Sequence, residues 1–286
     1  MNSLALHDHT KEQLDRFAAK PSHAVLLHGP KGSGKAALAR LLAARLLGIG
    51  VQDLQSFPYK VVVSSPEGKA ISIESIRTLE HFLSLKVPTS AAYNRFVIIE
   101  DSDLLTHEAQ NALLKTLEEP PEATFIILTS STKEALLPTI TSRLQEIIVT
   151  KPPAQKLIDH FTAAGYSETD IQQVYAISGG LPGLMQALLS DSDHPLKPAT
   201  LTARLLLQQT AYERMLQVDE LSKHRQLAID VLYILQQMAH ARLQVTTGSQ
   251  FTRWLKILSA SYTARNELQN SAQPKLVLDA LMLKLS

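Results

Sequence analysis

Short apolar runs alternate with longer amphipathic segments through the first half of the chain. Each run is followed by polar or glycine-containing positions, a pattern typical of buried parallel strands. The segments between them carry apolar residues every three or four positions and predict helices. Strands that alternate with helices indicate a doubly wound parallel sheet. The predicted strands are residues 24–27, 59–64, 95–101, 124–130 and 145–149, and the predicted helices are residues 4–20, 36–47, 72–83 and 106–119, with a turn at 65–68.

The pattern after residue 150 is helical. Residues 154–190 form three short runs broken at Gly165 and at Gly179-Gly180, and a polar, proline-containing segment at 190–195 marks a second boundary. Two later stripes of large side chains recur at alternating four- and three-residue steps, which predicts the packed faces of a helical bundle. The spacing does not distinguish an internal core from a subunit interface. The stripes are Leu227, Val231, Ile234, Met238 and Ala241, then Phe251, Trp254, Leu258, Tyr262 and Arg265.

The first predicted strand leads into a nearly complete phosphate-binding motif, G-x-x-x-x-G-K-[ST], at residues 29–36, here called the glycine loop. Glycines let backbone N–H groups converge on an anion, and the following helix N-terminus and a lysine add positive charge. The last position is Ala36, which has no hydroxyl to hold Mg²⁺. The alternative is a glycine turn that caps a helix and binds nothing. The candidate phosphate-binding residues are Gly29, Lys31, Gly32, Ser33, Gly34, Lys35 and Ala36.

Two acids, Glu100 and Asp101, end the third predicted strand. Acids at this edge of a nucleotide-binding sheet hold Mg²⁺ and polarise the attacking water. The usual Asp-Glu order is reversed, which moves both carboxylates by about a bond length, and a misplacement near 1 Å can lower a rate by ~10²-fold. The alternative is that these acids only terminate a strand.

Composition excludes several classes of protein. The 286 residues contain no cysteine, so disulfides, thiolate zinc sites and cysteine nucleophiles are excluded. No segment reaches the ~20 apolar residues of a membrane span, and the N-terminus lacks the layout of a signal peptide. We therefore expect a soluble cytoplasmic protein without a membrane partner. The net charge of +1 argues neither for nor against nucleic acid.

Residues 111–121, Asn-Ala-Leu-Leu-Lys-Thr-Leu-Glu-Glu-Pro-Pro, closely resemble a segment of the AAA+ subunits of bacterial clamp loaders. Residues 139–143, Thr-Ile-Thr-Ser-Arg, resemble the family's T-I-x-S-R-C motif, with Leu144 in place of cysteine. The likeness covers most of residues 20–185 and returns weakly at 273–281. It implies an α/β plus all-α fold: an AAA+ P-loop domain at 1–150, a small helical lid at 151–190 and a helical collar for oligomerisation at 191–286.

Departures from the family pattern favour its delta-prime branch over the motor subunits that hydrolyse ATP. They are Ala36, the reversed acids, and Gly183 in place of an arginine that reaches the γ-phosphate. The resemblance implies that Arg143 projects into the ATP site of the adjacent subunit, and that Ser130, after Thr129, matches a residue orienting water toward phosphate. Structural hydroxyls and a surface ion pair are the alternatives for Ser130 and Arg143 respectively.

The resemblance thus predicts an accessory subunit of the DNA polymerase III clamp loader that donates Arg143 in trans and has no ATP turnover of its own. ATP is expected at most in a degenerate site, and no zinc is expected, because residues 48–58 replace the family's four-cysteine module without a thiol. The implied partners are motor and delta-type subunits in a hetero-oligomer, with the sliding clamp and primed DNA reached through the complex. An active gamma/tau-like motor ATPase, or a P-loop regulatory module unrelated to replication, are the alternatives.

Overall fold

A computed structural model describes residues 4–65, 69–87, 93–270 and 272–285. Residues 66–68 of the turn predicted at 65–68 lie outside these ranges. The chain divides into two compact units, Met1–Pro153 and Ala154–Ser286. The finer division into lid and collar at residue 190 stays a prediction.

The first unit contains a parallel sheet with helices between the strands, as the sequence predicts. Its strands are β1 (Ala24–His28), β2 (Lys60–Val63), β3 (Arg95–Ile99), β4 (Thr124–Ser130) and β5 (Gln145–Ile148). Its helices are α1 (Asp8–Ala19), α2 (Lys35–Leu47), α3 (Ile73–Ser84), α4 (His107–Glu118) and α5 (Pro138–Thr141), with 3-10 turns at Gln52–Gln55 and Ser102–Leu104. The strand order is β2-β3-β4-β1-β5 and every pairing is parallel.

Alternation along the strands builds an apolar layer on each side of the sheet. Because successive side chains of a strand point to opposite faces, one set packs on α1 and α2 and the other on α3 and α4. The first set is Val25, Leu27, Phe96, Ile98, Phe125 and Ile127. The second is Ala24, Leu26, Val97, Ile99, Ile126 and Leu128. A sheet covered on both faces confirms the predicted doubly wound α/β class.

The register of the central strands determines where the glycine loop lies. His28, the last residue of β1, pairs with Ser130, the last residue of β4. Ile99, the last residue of β3, pairs with Leu128. The carboxyl ends of these three strands therefore form one edge, which carries the glycine loop, the two acids and Ser130.

Helix α1 is shorter than predicted, since residues 4–7 precede it.

The second unit is helical. It contains α6 (Ala154–Ala163), α7 (Glu168–Ser178), α8 (Pro182–Leu189), α9 (Lys197–Gln208), α10 (Ala211–Lys223), α11 (Arg225–Leu243), α12 (Gly248–Gln269) and α13 (Pro274–Lys284). One apolar core joins residues of α8 with residues of α9 to α13. Helix α10 begins with a capping box, in which Thr210 and Glu213 each bond the other's backbone N–H. These helices confirm the predicted all-α second half.

The stripe predicted for α12 is confirmed only in part, because Trp254 packs against the core of the second unit while the two other aromatic residues do not. Phe251 and Tyr262 are 41% and 51% exposed, while the buried line of the helix is Ile257, Ser261, Ala264 and Leu268. Ile257, Ala264 and Leu268 belong to the core that also contains residues of α11, so this face of α12 packs inward. The stripe predicted for α11 is confirmed for Val231, Ile234, Met238 and Ala241, which are buried.

Candidate functional site

The glycine loop connects β1 to α2 as the motif predicts. Gly32 and Gly34 have φ of 77° and 88°, in the left-handed region that favours glycine. Gly29 donates its N–H to the carbonyl oxygen of Ser130 at 3.1 Å, which holds the start of the loop against the end of β4. The chain thus turns sharply and begins a helix at Lys35. This geometry suits an anion at the N-terminus of α2.

Lys35 is the buried cation of the loop. Its Nζ donates to the carbonyl oxygens of Gly29 at 2.8 Å and Pro30 at 2.9 Å, and only 6% of the residue is exposed. Burial lowers the pKa of Lys35 to about 8, although Asp101 and Asp103 act to raise it. The Lys35 ammonium therefore interacts electrostatically with both Asp101 and Asp103.

Ser33 has a buried hydroxyl without a hydrogen-bond partner in the described part of the chain. The residue is 6% exposed and lies between the two left-handed glycines. A buried hydroxyl is nearly always hydrogen-bonded in folded proteins. A phosphate oxygen in the loop is a fitting partner, so the residues of the loop fit a bound polyphosphate.

Magnesium, which accompanies ATP in most P-loop sites, does not fit the same loop. Ala36 offers no oxygen, and Glu100 is engaged elsewhere: Arg40 Nη2 donates to Glu100 Oε1 at 2.6 Å. Burial raises the pKa of Glu100, while Arg40 lowers it. Among the described residues, no group of three or more His, Cys, Asp or Glu side chains could hold a metal ion.

The acids lie just beyond β3 rather than within it, because the strand ends at Ile99. Asp101 has a left-handed φ of 49° and donates its backbone N–H to Thr129 Oγ1 at 3.1 Å. Through this bond the hydroxyl of Thr129 holds the turn that follows β3.

Ser130 is fully buried, and its hydroxyl lies 2.5 Å from the carbonyl oxygen of Thr132 and 3.2 Å from Asp103 Oδ1. The backbone N–H of Ser131 donates to the same oxygen at 3.1 Å, and the Ser131 hydroxyl donates to Asp103 Oδ2. Asp103 therefore ties the end of β4 to the 3-10 turn after β3. The family resemblance implies that the Ser130 hydroxyl orients a water molecule toward phosphate, but in this arrangement the hydroxyl lies beside the Asp103 carboxylate.

The structure brings most of the predicted site residues to one edge of the sheet. The glycine loop, Glu100, Asp101 and Ser130 all lie at the carboxyl ends of β1, β3 and β4. Lys31 is half-buried within the loop. Gly183 lies in the first turn of α8 in the second unit and carries no side chain that could reach a ligand.

Arg143 follows α5 and lies at the surface. Its Nη1 donates to the carbonyl oxygen of Thr139 at 2.6 Å and to Ser142 Oγ at 3.3 Å, and its Nη2 donates to Glu118 Oε1 at 2.6 Å. The side chains of Arg143 and Glu118 are 35% and 49% exposed. The guanidinium is thus held by surface contacts and is open to solvent.

Three residues of this region are absent from the predicted site: Arg40, Asp103 and Glu118. Arg40 could have been assigned to the site from the sequence. A cation four residues after Ala36 lies one helical turn beyond it, on the same face of the predicted helix. Asp103 and Glu118 had no such signal, since their partners are 27 or 28 and 25 residues away in sequence. Only folding brings them together.

Residues 7–153 match a family model described as DNA polymerase III, delta subunit. The chain is 32% identical over 188 residues to DNA polymerase III subunit delta' of Pseudomonas aeruginosa, an alignment that covers 59% of this chain and 56% of that protein. Subunit delta' of Escherichia coli is 28% identical over 187 residues, with coverage of 60% and 55%. The chain thus spans little more than half the length of these curated relatives.

A DNA polymerase III subunit gamma of Buchnera aphidicola is 26% identical over 238 residues, covering 71% of this chain and 66% of that protein. Among solved structures, the fold is similar to a DNA polymerase III, gamma subunit-related protein from Thermotoga maritima. That comparison has a TM-score of 0.55 at 22% identity and covers 98% of this chain and 100% of the other. No helix in the described ranges is both long and apolar enough to cross a bilayer.

Proposed function

The chain belongs to the family of the DNA polymerase III delta subunit, and on that premise we propose that it is a delta-prime-like subunit of a bacterial replicative clamp loader. In this role it joins motor and delta-type subunits in a cytoplasmic hetero-oligomer that opens the sliding clamp and places it on primed DNA. The matches to subunits named delta' and gamma support this assignment. Its own glycine loop holds at most an anion or nucleotide without turnover.

The observation that carries the proposal is the half-buried guanidinium of Arg143 at the protein surface, on a chain whose own loop lacks a metal ligand. A planar, permanently charged guanidinium can neutralise charge that develops on a γ-phosphoryl group, an effect worth ~10³–10⁵ in rate in other enzymes. This contribution requires nothing of the donor's own ATP site. Arg143 therefore acts on the nucleotide of a neighbouring motor subunit.

The test is Arg143→Ala in a complex reconstituted with motor and delta-type subunits. We expect the variant to fold and assemble normally and to lower the ATPase activity of the complex. Arg45→Ala is the matched control, because Arg45 pairs with Asp15 at 2.8 Å with side-chain exposures of 42% and 47%. Unchanged ATPase activity in an assembled Arg143→Ala complex defeats the proposal.

A second candidate function, an active motor ATPase, is favoured by the similarity to subunit gamma over 71% of this chain. It requires that Glu100 or Asp101 hold a metal despite Ala36. ATP turnover by the purified chain that Lys35→Ala abolishes would establish this function. The engagement of Glu100 by Arg40 argues against it. Family membership argues against a regulatory module unrelated to replication.

A further inference from the structure

An ion pair links the two elements that hold magnesium in other P-loop sites. In such sites the metal lies between a hydroxyl at the start of the loop helix and an acid at the end of a neighbouring strand. Here Arg40 of α2 bonds Glu100 after β3 at 2.6 Å. Arg40 is four residues after Ala36, so the two side chains share a face of the helix. The guanidinium therefore links α2 to the turn after β3.

The glycine loop independently presents buried donors that fit an anion. Ser33 Oγ is buried without a partner among the described residues. Lys35 Nζ is bonded to two neutral carbonyl oxygens of its own loop. An unsatisfied buried hydroxyl and a desolvated ammonium are both stabilised by a phosphate oxygen.

We propose that the glycine loop binds a polyphosphate anion without a divalent metal, and that Arg40 supplies the positive charge that Mg²⁺ supplies elsewhere. The ligand is the phosphate chain of a nucleotide or inorganic pyrophosphate. A guanidinium has five N–H donors, so Arg40 can keep its bond to Glu100 and still donate to a phosphate. Because position 36 offers no hydroxyl and Glu100 is paired with Arg40, metal-free ligand binds at least as tightly as its magnesium complex. This inference deepens the proposed function, since it rests on the glycine loop being a phosphate site.

The experiment titrates the full chain with methylanthraniloyl-ATP, followed by fluorescence, in EDTA and in excess Mg²⁺. We expect the affinity in EDTA to equal or exceed that in Mg²⁺. Arg40→Ala lowers the affinity in EDTA by about tenfold, the size of one charge-assisted hydrogen bond. Arg45→Ala, in the same helix, leaves the affinity unchanged. If pyrophosphate displaces the fluorescent ATP, the loop recognises the phosphates alone. If ATP displaces it and pyrophosphate does not, the loop recognises the whole nucleotide. Either result supports the metal-free site.

Two further variants distinguish a loss of affinity caused by the missing cation from one caused by misfolding. Arg40→Lys keeps a cation and is expected to retain most of the metal-free affinity. Ala36→Ser combined with Arg40→Ala restores a hydroxyl and removes the cation, so its binding should become tighter with Mg²⁺. The thermal unfolding midpoint of each variant shows that the fold is intact.

Several results overturn the inference: no binding in EDTA, binding by the unaltered chain that requires Mg²⁺, or a folded Arg40→Ala protein with unaltered affinity. Its failure is distinguishable from failure of the proposed function. The proposed function is measured as the ATPase activity of the Arg143→Ala complex, whereas this inference is measured as ligand binding to the chain alone.

Discussion

Glu118, the last residue of α4, accepts a hydrogen bond from Arg143 Nη2 at 2.6 Å. The pair joins the segment at 111–121 to the segment at 139–143, the two stretches that carry the family resemblance. An arginine that reaches another protein must exchange this carboxylate for a phosphate. The exchange is easy, because exposed ion pairs contribute only about 0–1 kcal/mol.

Glu118→Gln tests this relationship. We expect the free energy of unfolding to change by less than about 1 kcal/mol, and the ATPase activity of the reconstituted complex to be maintained or raised, since Arg143 is freed. Circular dichroism during urea unfolding and a steady-state ATPase assay measure the two quantities. A loss of activity as large as that of Arg143→Ala would instead mean that the ion pair itself is required.

The pKa of Lys35 predicts how anion binding depends on pH. Because burial holds this pKa at about 8, the ammonium of the free loop deprotonates above that pH and the affinity falls by up to about tenfold per pH unit. Lys35→Arg should remove this dependence, since a guanidinium stays charged. Fluorescence titrations in EDTA on both sides of pH 8 measure it. An affinity of the unaltered chain that is constant across this range contradicts the prediction.

The same pKa determines the sign of a stability effect. In the folded protein it lies below the ordinary value of 10.5, so between about pH 8 and 10.5 the unfolded chain binds more protons at this position. The contribution of Lys35 to the free energy of unfolding therefore rises with pH across this window. Urea unfolding of Lys35→Met, which cannot titrate at position 35, is the control for other groups.

Gln110 is predicted to be a main polar contributor to the stability of the first unit. Its Oε1 accepts from the backbone N–H of Leu137 at 2.8 Å, and its Nε2 donates to the carbonyl oxygens of Leu105 and Ala135 at 3.3 and 3.2 Å. Gln110→Ala removes these three bonds, of which the one to Leu105 is buried and the other two are partly buried, and should destabilise by about 1–3 kcal/mol. Asn111→Ala, at the exposed neighbouring position, should change stability by less than about 0.5 kcal/mol. Equal urea midpoints for the two variants would refute this role.

Gly29 is required by close packing. A Cβ at this position would lie 2.2 Å from the carbonyl oxygen of Val149, so Gly29→Ala should destabilise by about 1–3 kcal/mol or more and distort the glycine loop. At Gly48 a Cβ meets nothing within 4 Å, and Gly48→Ala has only the strain of its left-handed φ, about 1 kcal/mol. Thermal unfolding of both variants tests the order. A Gly29→Ala protein as stable as Gly48→Ala would contradict it.

The sequence by itself determined the fold class and which sheet edge carries the candidate site. Apolar runs with β-branched residues specify buried strands because their periodicity is local, and strands that alternate regularly with helices favour parallel pairing. The glycine loop, the acids and Ser130 could be assigned to one edge because the carboxyl ends of such strands lie together. The missing hydroxyl at Ala36 was also readable from the sequence.

Tertiary structure alone decided which charges meet. The pairing of Arg40 with Glu100 spans 60 residues and that of Arg143 with Glu118 spans 25, distances over which sequence spacing carries no geometric information. The same holds for α12, where contact with α11 buries small residues and leaves Phe251 and Tyr262 exposed. Periodicity identifies the faces of a helix, but the shape of the neighbouring helix determines which face is buried.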